Sequence, residues 1–356
     1  MKILFAGGGT LGPVTPLLAV ADELKRKQPK AECVFVGTST GPERRLVEEA
    51  GIRFLALDAP KLRRYFDVRT LFAPFLLLGA VWRAGRLLAA ERPDLVVGAG
   101  GYVQVPLGLA AKARGIKVLV HQQDVVASLS NKLLAPLADA VTAAFDISSK
   151  DFPKKKTSVI GNPVRRSIEE GDRAKGLATL GFSGERPLVL VLGGGTGSAF
   201  LNEKITDALP HLTGFADVAH LTGLEKSLPA RNIEHPERYR QIEFLGTDMA
   251  HALAAADSVV CRAGLGTLTE CAALEKAVIL VPIADSHQEK NAEFIVERGG
   301  ARMLHERDVT PESLTNAIRD LLKHPDGARR LGTMLHTLFQ PHAREALAEK
   351  ILSLLS

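Results

Sequence analysis

The sequence predicts an α/β protein of two domains, each a parallel sheet covered by helices on both faces. Three observations carry that prediction. Short apolar runs alternate with helical stretches along the chain, and glycine-rich turns join each run to its helix. The scheme starts twice, with Leu4-Phe5-Ala6-Gly7-Gly8-Gly9-Thr10 resembling Val191-Leu192-Gly193-Gly194-Gly195-Thr196. The length of 356 residues exceeds the size at which one hydrophobic core stops growing.

The elements follow in order. The run 3–6 is a strand, too short for a signal-peptide core, and leads through the glycines 7–12 to a helix at 17–25. A strand at 33–36 precedes a helix at 43–50. Strand 95–97 feeds the turn 98–101 and a helical stretch at 105–114; strand 118–120 feeds 121–124 and a helix at 130–137. Lys154-Lys155-Lys156 and Gly161-Asn162-Pro163 read as the connection between the halves, giving domains at 1–162 and 163–340. The second half repeats the scheme with strands at 188–192, 258–261 and 278–282, turns at 193–197, 264–266 and 285–288, and helices at 201–209, 267–274 and 290–298. A last amphipathic helix is expected at 344–355. Ligands of open parallel sheets bind beyond the carboxyl ends of the strands, so two facing sheets would bring both glycine loops to one cleft and two substrates.

Composition narrows the class. Hydrophobic content of 46% with 24% charged residues is that of an ordinary soluble domain. Cys33, Cys261 and Cys271 show no CxxC spacing and no pairing pattern, which speaks against a disulfide framework and a zinc site. The net charge of +5 is unevenly placed: residues 1–162 hold 23 Lys/Arg against 14 Asp/Glu, and the rest is mildly acidic. The first half is therefore expected to face something anionic. Nucleic acid is disfavoured, because aromatic content is 5% and no stacking run or recognition motif occurs.

Gly7-Gly8-Gly9-Thr10-Leu11-Gly12 satisfies GxGxxG between a strand and a helix, where backbone N–H groups suit a pyrophosphate. A dinucleotide site also needs an acidic residue at the end of the second strand, but that strand ends Val36-Gly37-Thr38. Neither glycine loop carries the lysine of a P-loop. Tight turns that only let helix and strand pack remain the structural alternative.

At this point the residues resemble a known family, the MurG family of UDP-N-acetylglucosamine transferases in glycosyltransferase family 28, over most of the chain. Gly8-Gly9-Thr10-x-Gly12-x-Val14-x-Pro16 is similar to its first glycine loop. Gly100-Gly101-Tyr102, His121-x-Gln123 and Asn131-Lys132 are similar to its acceptor-side motifs, and Gly161-Asn162-Pro163-Val164-Arg165 to its interdomain segment. Asp248-Met249, Cys261-Arg262-x-Gly264, Thr267-x-Thr269-Glu270 and His287-Gln288-x-x-Asn291-Ala292 resemble its donor site.

The resemblance implies a GT-B fold, two Rossmann-like domains with parallel sheets facing a central cleft, whose last helix (341–356) packs back on the N-terminal domain. It implies inverting transfer of N-acetylglucosamine from a UDP-sugar to an undecaprenyl-diphosphate-linked muramyl acceptor, with no cofactor and no metal. On the donor side it implies Thr10, Gly12, Arg165, Gly195, Thr196 and Leu245. There the backbone near Phe244-Leu245 would read uracil, Glu270 would hold the ribose, and Gln288 and Asn291 the donor sugar. The amides of Gly264, Leu265, Gly266, Thr267 and Leu268, continuing into Thr269, would take the diphosphate with help from the helix dipole. On the acceptor side it implies Gly9, Gly101, Tyr102, Gln122 and Gln123. Helix capping is the structural alternative for Thr267 and Asp285.

Departures from the family pattern bear on the catalytic base. Pro13 stands where the family has a histidine, Gly195 where it has a serine, and His121-Gln122-Gln123-Asp124 where it reads His-Glu-Gln-Asn. An inverting transfer needs a base at the acceptor hydroxyl. Asp124 is the first candidate and His121 the second; capping of the following helix is the alternative for Asp124.

Residues 61–86 surround an apolar core, 70–82, with arginines. That core has 13 residues where a membrane span needs about 20, so it does not cross. Phe72, Phe75, Leu76 and Trp82, with Arg83 and Arg86, suit a segment lying in the interface of an anionic inner-membrane leaflet. A buried core helix with basic ends is the alternative. The resemblance implies a peripheral protein at the cytoplasmic face of the cell membrane. Three other functions stay open: transfer to a different lipid or glycan, a UDP-sugar 2-epimerase on the same architecture, and a UDP-sugar-binding protein without catalysis.

Overall fold

A computed structural model describes residues 1–60, 73–229 and 233–356. Phe72 and the cationic stretch 61–69 of the expected interfacial segment lie outside the described residues. The chain divides into two compact units: unit 1 is 1–165 with 340–356, and unit 2 is 166–339.

Unit 1 holds a seven-stranded parallel sheet in the order β3-β2-β1-β4-β5-β6-β7. Its strands are β1 (Lys2–Ala6), β2 (Glu32–Gly37), β3 (Arg53–Ala56), β4 (Leu95–Gly98), β5 (Lys117–Gln122), β6 (Ala140–Ala143) and β7 (Thr157–Val159). Helices α1 (Thr15–Lys27), α2 (Glu43–Glu49), α3 (Ala73–Glu91), α4 (Gln104–Ala113), α5 (Leu129–Leu134) and α6 (Asp146–Ser149) follow in sequence between them. Alternate side chains along each strand serve opposite faces. Ile3, Phe5, Phe35, Val97 and Leu119 pack on one side with Leu17, Leu24, Leu347 and Ile351. Leu4, Val34, Val96, Val118 and Val120 pack on the other with Ala84, Leu88 and Leu107. The strands are apolar nearly throughout because both faces are covered.

Unit 2 repeats the plan with six parallel strands, β10-β9-β8-β11-β12-β13. These are β8 (Leu188–Leu192), β9 (Asp217–Leu221), β10 (Tyr239–Ile242), β11 (Ser258–Cys261), β12 (Val278–Leu280) and β13 (Arg302–Met303). Its helices are α7 (Arg166–Glu169), α8 (Arg173–Leu180), α9 (Ala199–Leu212), α10 (Met249–Ala255), α11 (Leu265–Ala273), α12 (His287–Val296), α13 (Pro311–Lys323) and α14 (Pro325–Leu338). The chain then re-enters unit 1 as α15 (Ala343–Leu355), whose Leu347, Ala348 and Ile351 are fully buried in the first core. Burial of that order contributes about 2 kcal/mol per large side chain, enough to fix the helix there.

Several expectations are corrected. Lys154–Lys156 is not a linker but a 3-10 turn leading into β7, the last strand of the first sheet. Strands β3, β6, β7, β9, β10 and β13 carry too little local signal to be seen as strands in the sequence. Helix α11 opens at Leu265 rather than at 267, and α12 at His287 rather than at 290.

In α3, Ala80, Ala84 and Leu88 are buried at i, i+4 and i+8, so one stripe is the core face. Phe75 (72%), Leu76 (54%), Leu78 (65%) and Trp82 (63%) are exposed, which rules out the core-helix alternative for those four. The Arg86 guanidinium lies 5.1 Å from the Trp82 ring centre, and Arg83 donates to the Asp58 carbonyl. Among the described residues no helix is long and apolar enough to cross a membrane.

Candidate active site

In each sheet the strand order reverses between two neighbours, β1 and β4 in unit 1, β8 and β11 in unit 2, and the loops beyond the carboxyl ends diverge there. Most candidate residues fall on such loops or on the helices they open; His121 and Gln122 are the last two residues of β5, Cys261 the last of β11, and Arg165 the last residue before unit 2.

In unit 1 the loop after β1 packs on the loop after β4. A Cβ on Gly101 (φ +81°) would meet the Gly8 carbonyl at 2.7 Å, and one on Gly9 (φ +84°) would meet Cε1 of Tyr102 at 2.8 Å. Only glycine permits this approach. Pro13 sits beside both loops, 3.6 Å from a Cβ placed on Gly100. Thr10 is exposed and Gly12 half-buried on the turn that precedes α1.

Beneath this loop lies Glu43, fully buried. Its Oε1 accepts from the Thr38 backbone at 2.6 Å and the Thr38 hydroxyl at 2.5 Å, and both carboxylate oxygens lie 3.3 Å from Gly9 N. β2 ends without a carboxylate, as the sequence reads, but α2 delivers one to that place. It does not serve a dinucleotide. It occupies the Gly9 amide that a pyrophosphate would need, so the anion seat of this loop is filled from within. Glu43 stands inside an expected helix, and no local pattern marks it.

The loop after β5 is held by a connected set of buried amides. Gln104 Nε2 donates to Asn131 Oδ1 at 2.5 Å, and Gln104 Oε1 accepts from Gly100 N at 3.1 Å. Asn131 Nδ2 donates to the His121 carbonyl and to Gln122 Oε1. Gln122 Nε2 donates to the carbonyls of Asp124 (2.8 Å) and Val126 (3.1 Å), and its Oε1 also accepts from Ser128 N. Gln122 is thus a buried loop-former, turned inward rather than toward a ligand. Gln123 donates to the Ala99 carbonyl, and its Oε1 is buried with no hydrogen-bond partner among the described residues.

His121 is fully buried, its Nδ1 3.0 Å from Thr142 Oγ1 and its Nε2 3.1 Å from Asn162 Oδ1. Burial lowers its pKa to about 4, partly offset by the Asn162 bond, so the ring is neutral at pH 7. Both ring nitrogens are spent inside the protein, and it anchors β5 to β6 and to the 161–165 segment. Asp124 is half-buried on the loop. It does not cap α5, because the Ser128 side chain does, accepting from Asn131 N.

In unit 2 the loop after β8 contains Gly194 (φ +82°) and Gly197 (φ +71°), with Gly195 and Thr196 exposed. Lys226 Nζ donates to the Thr196 carbonyl at 2.7 Å. A buried polar chain supports it: Asn202 Nδ2 donates to the Thr222 and Lys226 carbonyls, Asn202 Oδ1 meets His220 Nε2, and His220 Nδ1 meets Tyr239 Oη. Burial lowers the His220 pKa to about 4 and raises that of Tyr239. Arg262, also buried, joins four parts of the rim. It reaches Ser198 Oγ, the Val281 and Pro282 carbonyls and Glu306 (2.6 Å), with its guanidinium 5.2 Å from the Phe200 ring centre. Sequence patterns gave no sign of these two networks.

Helix α11 opens on Gly264 as N-cap, and the N–H of Leu268 is bonded back to Gly264 O at 3.1 Å. The N–H groups of Leu265, Gly266 and Thr267 have no intrahelical partner and carry the positive end of the dipole. Thr267 lies inside the helix and is not its cap. The Thr269 hydroxyl donates to the Leu265 carbonyl within the helix. Glu270 is 8% exposed, one turn further along. Leu245 lies on the loop after β10, its carbonyl accepting from Asp248 N.

Ser286, not Asp285, caps α12, its hydroxyl accepting from Gln288 N. Asp285 adopts φ +56° and is ion-paired with Arg307. Gln288 Oε1 accepts from Ile283 N at 3.4 Å. Asn291 is fully buried and donates to the Ala263 carbonyl at 3.1 Å, so it fixes the start of α11.

The chain matches the glycosyltransferase family 28 N-terminal domain over residues 3–143 and the family 28 C-terminal domain over residues 188–345. It is 37% identical to the UDP-N-acetylglucosamine–N-acetylmuramyl-(pentapeptide) pyrophosphoryl-undecaprenol N-acetylglucosamine transferase of Shouchella clausii, with 90% of each chain covered. It superposes on the crystal structure of Acinetobacter baumannii MurG with a TM-score of 0.71, 29% identity and 99% of each chain covered. A UDP-GlcNAc 2-epimerase from Neisseria meningitidis gives a TM-score of 0.69 at 13% identity, covering 99% of this chain and all of the other, a likeness of fold alone. Two parallel α/β sheets of seven and six strands make this a GT-B-type fold. On the two matched domains and the near full-length relatives, the chain belongs to the MurG family of glycosyltransferase family 28.

Proposed function

We propose that this protein transfers N-acetylglucosamine from UDP-N-acetylglucosamine to the muramyl sugar of an undecaprenyl-diphosphate lipid, with inversion at the sugar. The observation that carries the reading is the open amide end of α11 with buried Glu270 one turn behind it, in a chain of this family. The departing UDP gains negative charge as the glycosidic bond breaks, and fixed N–H dipoles at that end stabilise it more than they stabilise the bound donor. Glu270 accepts from ribose hydroxyls, and Gln288 faces the donor sugar. Asn291 acts through the 263–266 turn that it holds. Asp124 takes the proton of the attacking hydroxyl, while His121, neutral and enclosed, positions its loop.

The exposed apolar face of α3, with Arg83 and Arg86 beside it, docks on an anionic leaflet at the cytoplasmic face of the membrane, where such a lipid is presented. The test is release of UDP from UDP-N-acetylglucosamine with and without the prenyl-diphosphate muramyl lipid. Release that depends on the lipid is expected. Acceptor-free conversion of the sugar would indicate epimerisation instead, and binding without turnover would indicate a regulatory protein.

A further inference from the structure

We infer that Glu306 is a positioning residue of the donor site: it fixes the turn ahead of α12 and, through that turn, the aim of Gln288 at the donor sugar. This role rests on the reading of unit 2 as the half that takes the UDP-sugar. It assigns a task to a residue that lies outside every motif of the sequence.

Glu306 stands in the 3-10 turn after β13 (Glu306–Asp308), and its two carboxylate oxygens serve different partners. Oε1 lies 2.6 Å from Arg262 Nη2, and Oε2 accepts from Ala284 N at 2.6 Å. Arg262 follows β11, and its other bonds go to Ser198 Oγ at the start of α9 and to the Val281 and Pro282 carbonyls. One ion pair thus joins the segments that leave four neighbouring strands, β8, β11, β12 and β13. The Arg262 side chain is 6% exposed and that of Glu306 17%, so each charge depends on the other for compensation.

The turn between β12 and α12 is where this order is needed. Asp285 holds φ +56°, a left-handed conformation that residues with a Cβ adopt at a cost. Glu306 pins the residue before it through Ala284 N, and Ser286 pins the residue after it as the N-cap of α12. Gln288 Oε1 accepts from Ile283 N in the same turn at 3.4 Å, so the turn also aims the Gln288 amide. With Ala284 N released, Asp285 relaxes toward an ordinary conformation and Gln288 moves with the turn. The groups assigned to UDP are held separately, since Asn291 fixes the start of α11 through the Ala263 carbonyl and Glu270 lies on that helix. Loss of Glu306 therefore acts on the sugar end of the donor and spares the nucleotide end.

The test is calorimetric binding of UDP-N-acetylglucosamine and of UDP to the full chain and to Glu306→Gln and Glu306→Asp, with amide hydrogen exchange followed over residues 282–288. Glutamine keeps the shape of the side chain but has one acceptor oxygen, so it cannot serve Arg262 and Ala284 from separate oxygens. Glu306→Gln is expected to raise Kd for UDP-N-acetylglucosamine about tenfold, the scale of one lost hydrogen bond to a charged group, and to change Kd for UDP by less than about twofold. Exchange over 282–288 should quicken. Glu306→Asp keeps the charge that Arg262 needs but is one methylene shorter, so it should show the same split and carries the test if the glutamine variant folds poorly. A merely structural role would weaken both ligands alike, and that result overturns the assignment. So does an unchanged Kd for UDP-N-acetylglucosamine in variants of a wild type that binds it. A wild type that binds neither ligand rejects instead the donor-site reading beneath.

Discussion

Asp124 is the base in the proposed transfer, and two departures from the family pattern bear on that proposal. Pro13 supplies no ionisable group, and Gln122 uses its amide donors on the Asp124 and Val126 carbonyls. A carboxylate at 122 has no proton for either bond, so the amide suits the loop that displays Asp124. Ser128 caps α5, which leaves Asp124 without that structural duty. Asp124→Asn should lower turnover about 10²-fold or more, the scale of general-base removal, while calorimetry finds UDP-N-acetylglucosamine binding near that of the wild type. Near-normal turnover in the variant would remove Asp124 from the mechanism.

At the scale of elements, α3 and α11 use a helix in different ways. In the proposed transfer the nine residues of α11 serve through their amide end, whose start Asn291 holds and beside which Arg262 joins the rim. The role of α3 comes from its two faces: Ala80, Ala84 and Leu88 attach it to unit 1, and Phe75, Leu76, Leu78 and Trp82 face outward. An outward apolar face flanked by arginines gains free energy at an anionic lipid surface through burial and charge together. The Phe75→Ser/Trp82→Ser double variant should bind vesicles containing phosphatidylglycerol about tenfold or more weakly, by burial of two large side chains fewer. Turnover of detergent-solubilised acceptor should remain. Unchanged co-sedimentation with vesicles would refute the docking role.

For the molecule as a whole, acid is the expected weak point, because each unit encloses one neutral histidine. His121 in unit 1 and His220 in unit 2 are both held to a pKa of about 4 by burial, against an ordinary value of 6.5. The unfolded chain therefore binds protons at those positions between pH 6.5 and 4 while the folded chain does not. Stability from these groups is complete above about pH 6.5 and is lost as pH falls toward 4, at up to about 1.4 kcal/mol per pH unit for each histidine. Urea denaturation at pH 7.5 and pH 5 should show the fall, and His220→Gln should flatten it for unit 2. A wild-type stability equal at both pH values would contradict the assignment.

The sequence by itself determined the class of fold, the doubling of the scheme and the strands β1, β2, β4, β5, β8, β11 and β12. In those segments the apolar runs are bounded by glycines, and the backbone pattern is written locally. It also marked α11, Glu270 and the outward residues of α3, since motif spacing and amphipathic composition survive without coordinates. Only the tertiary structure decided which polar residues face inward. Glu43 beneath the first glycine loop, Gln122 and Asn291 as loop-formers, His121 as an enclosed anchor and the Arg262 network all depend on partners distant in sequence. A buried polar group and an exposed one read alike along the chain. What separates them is the cost of leaving a buried donor or acceptor unpaired, and the partner that meets it is fixed only when strands and loops come together.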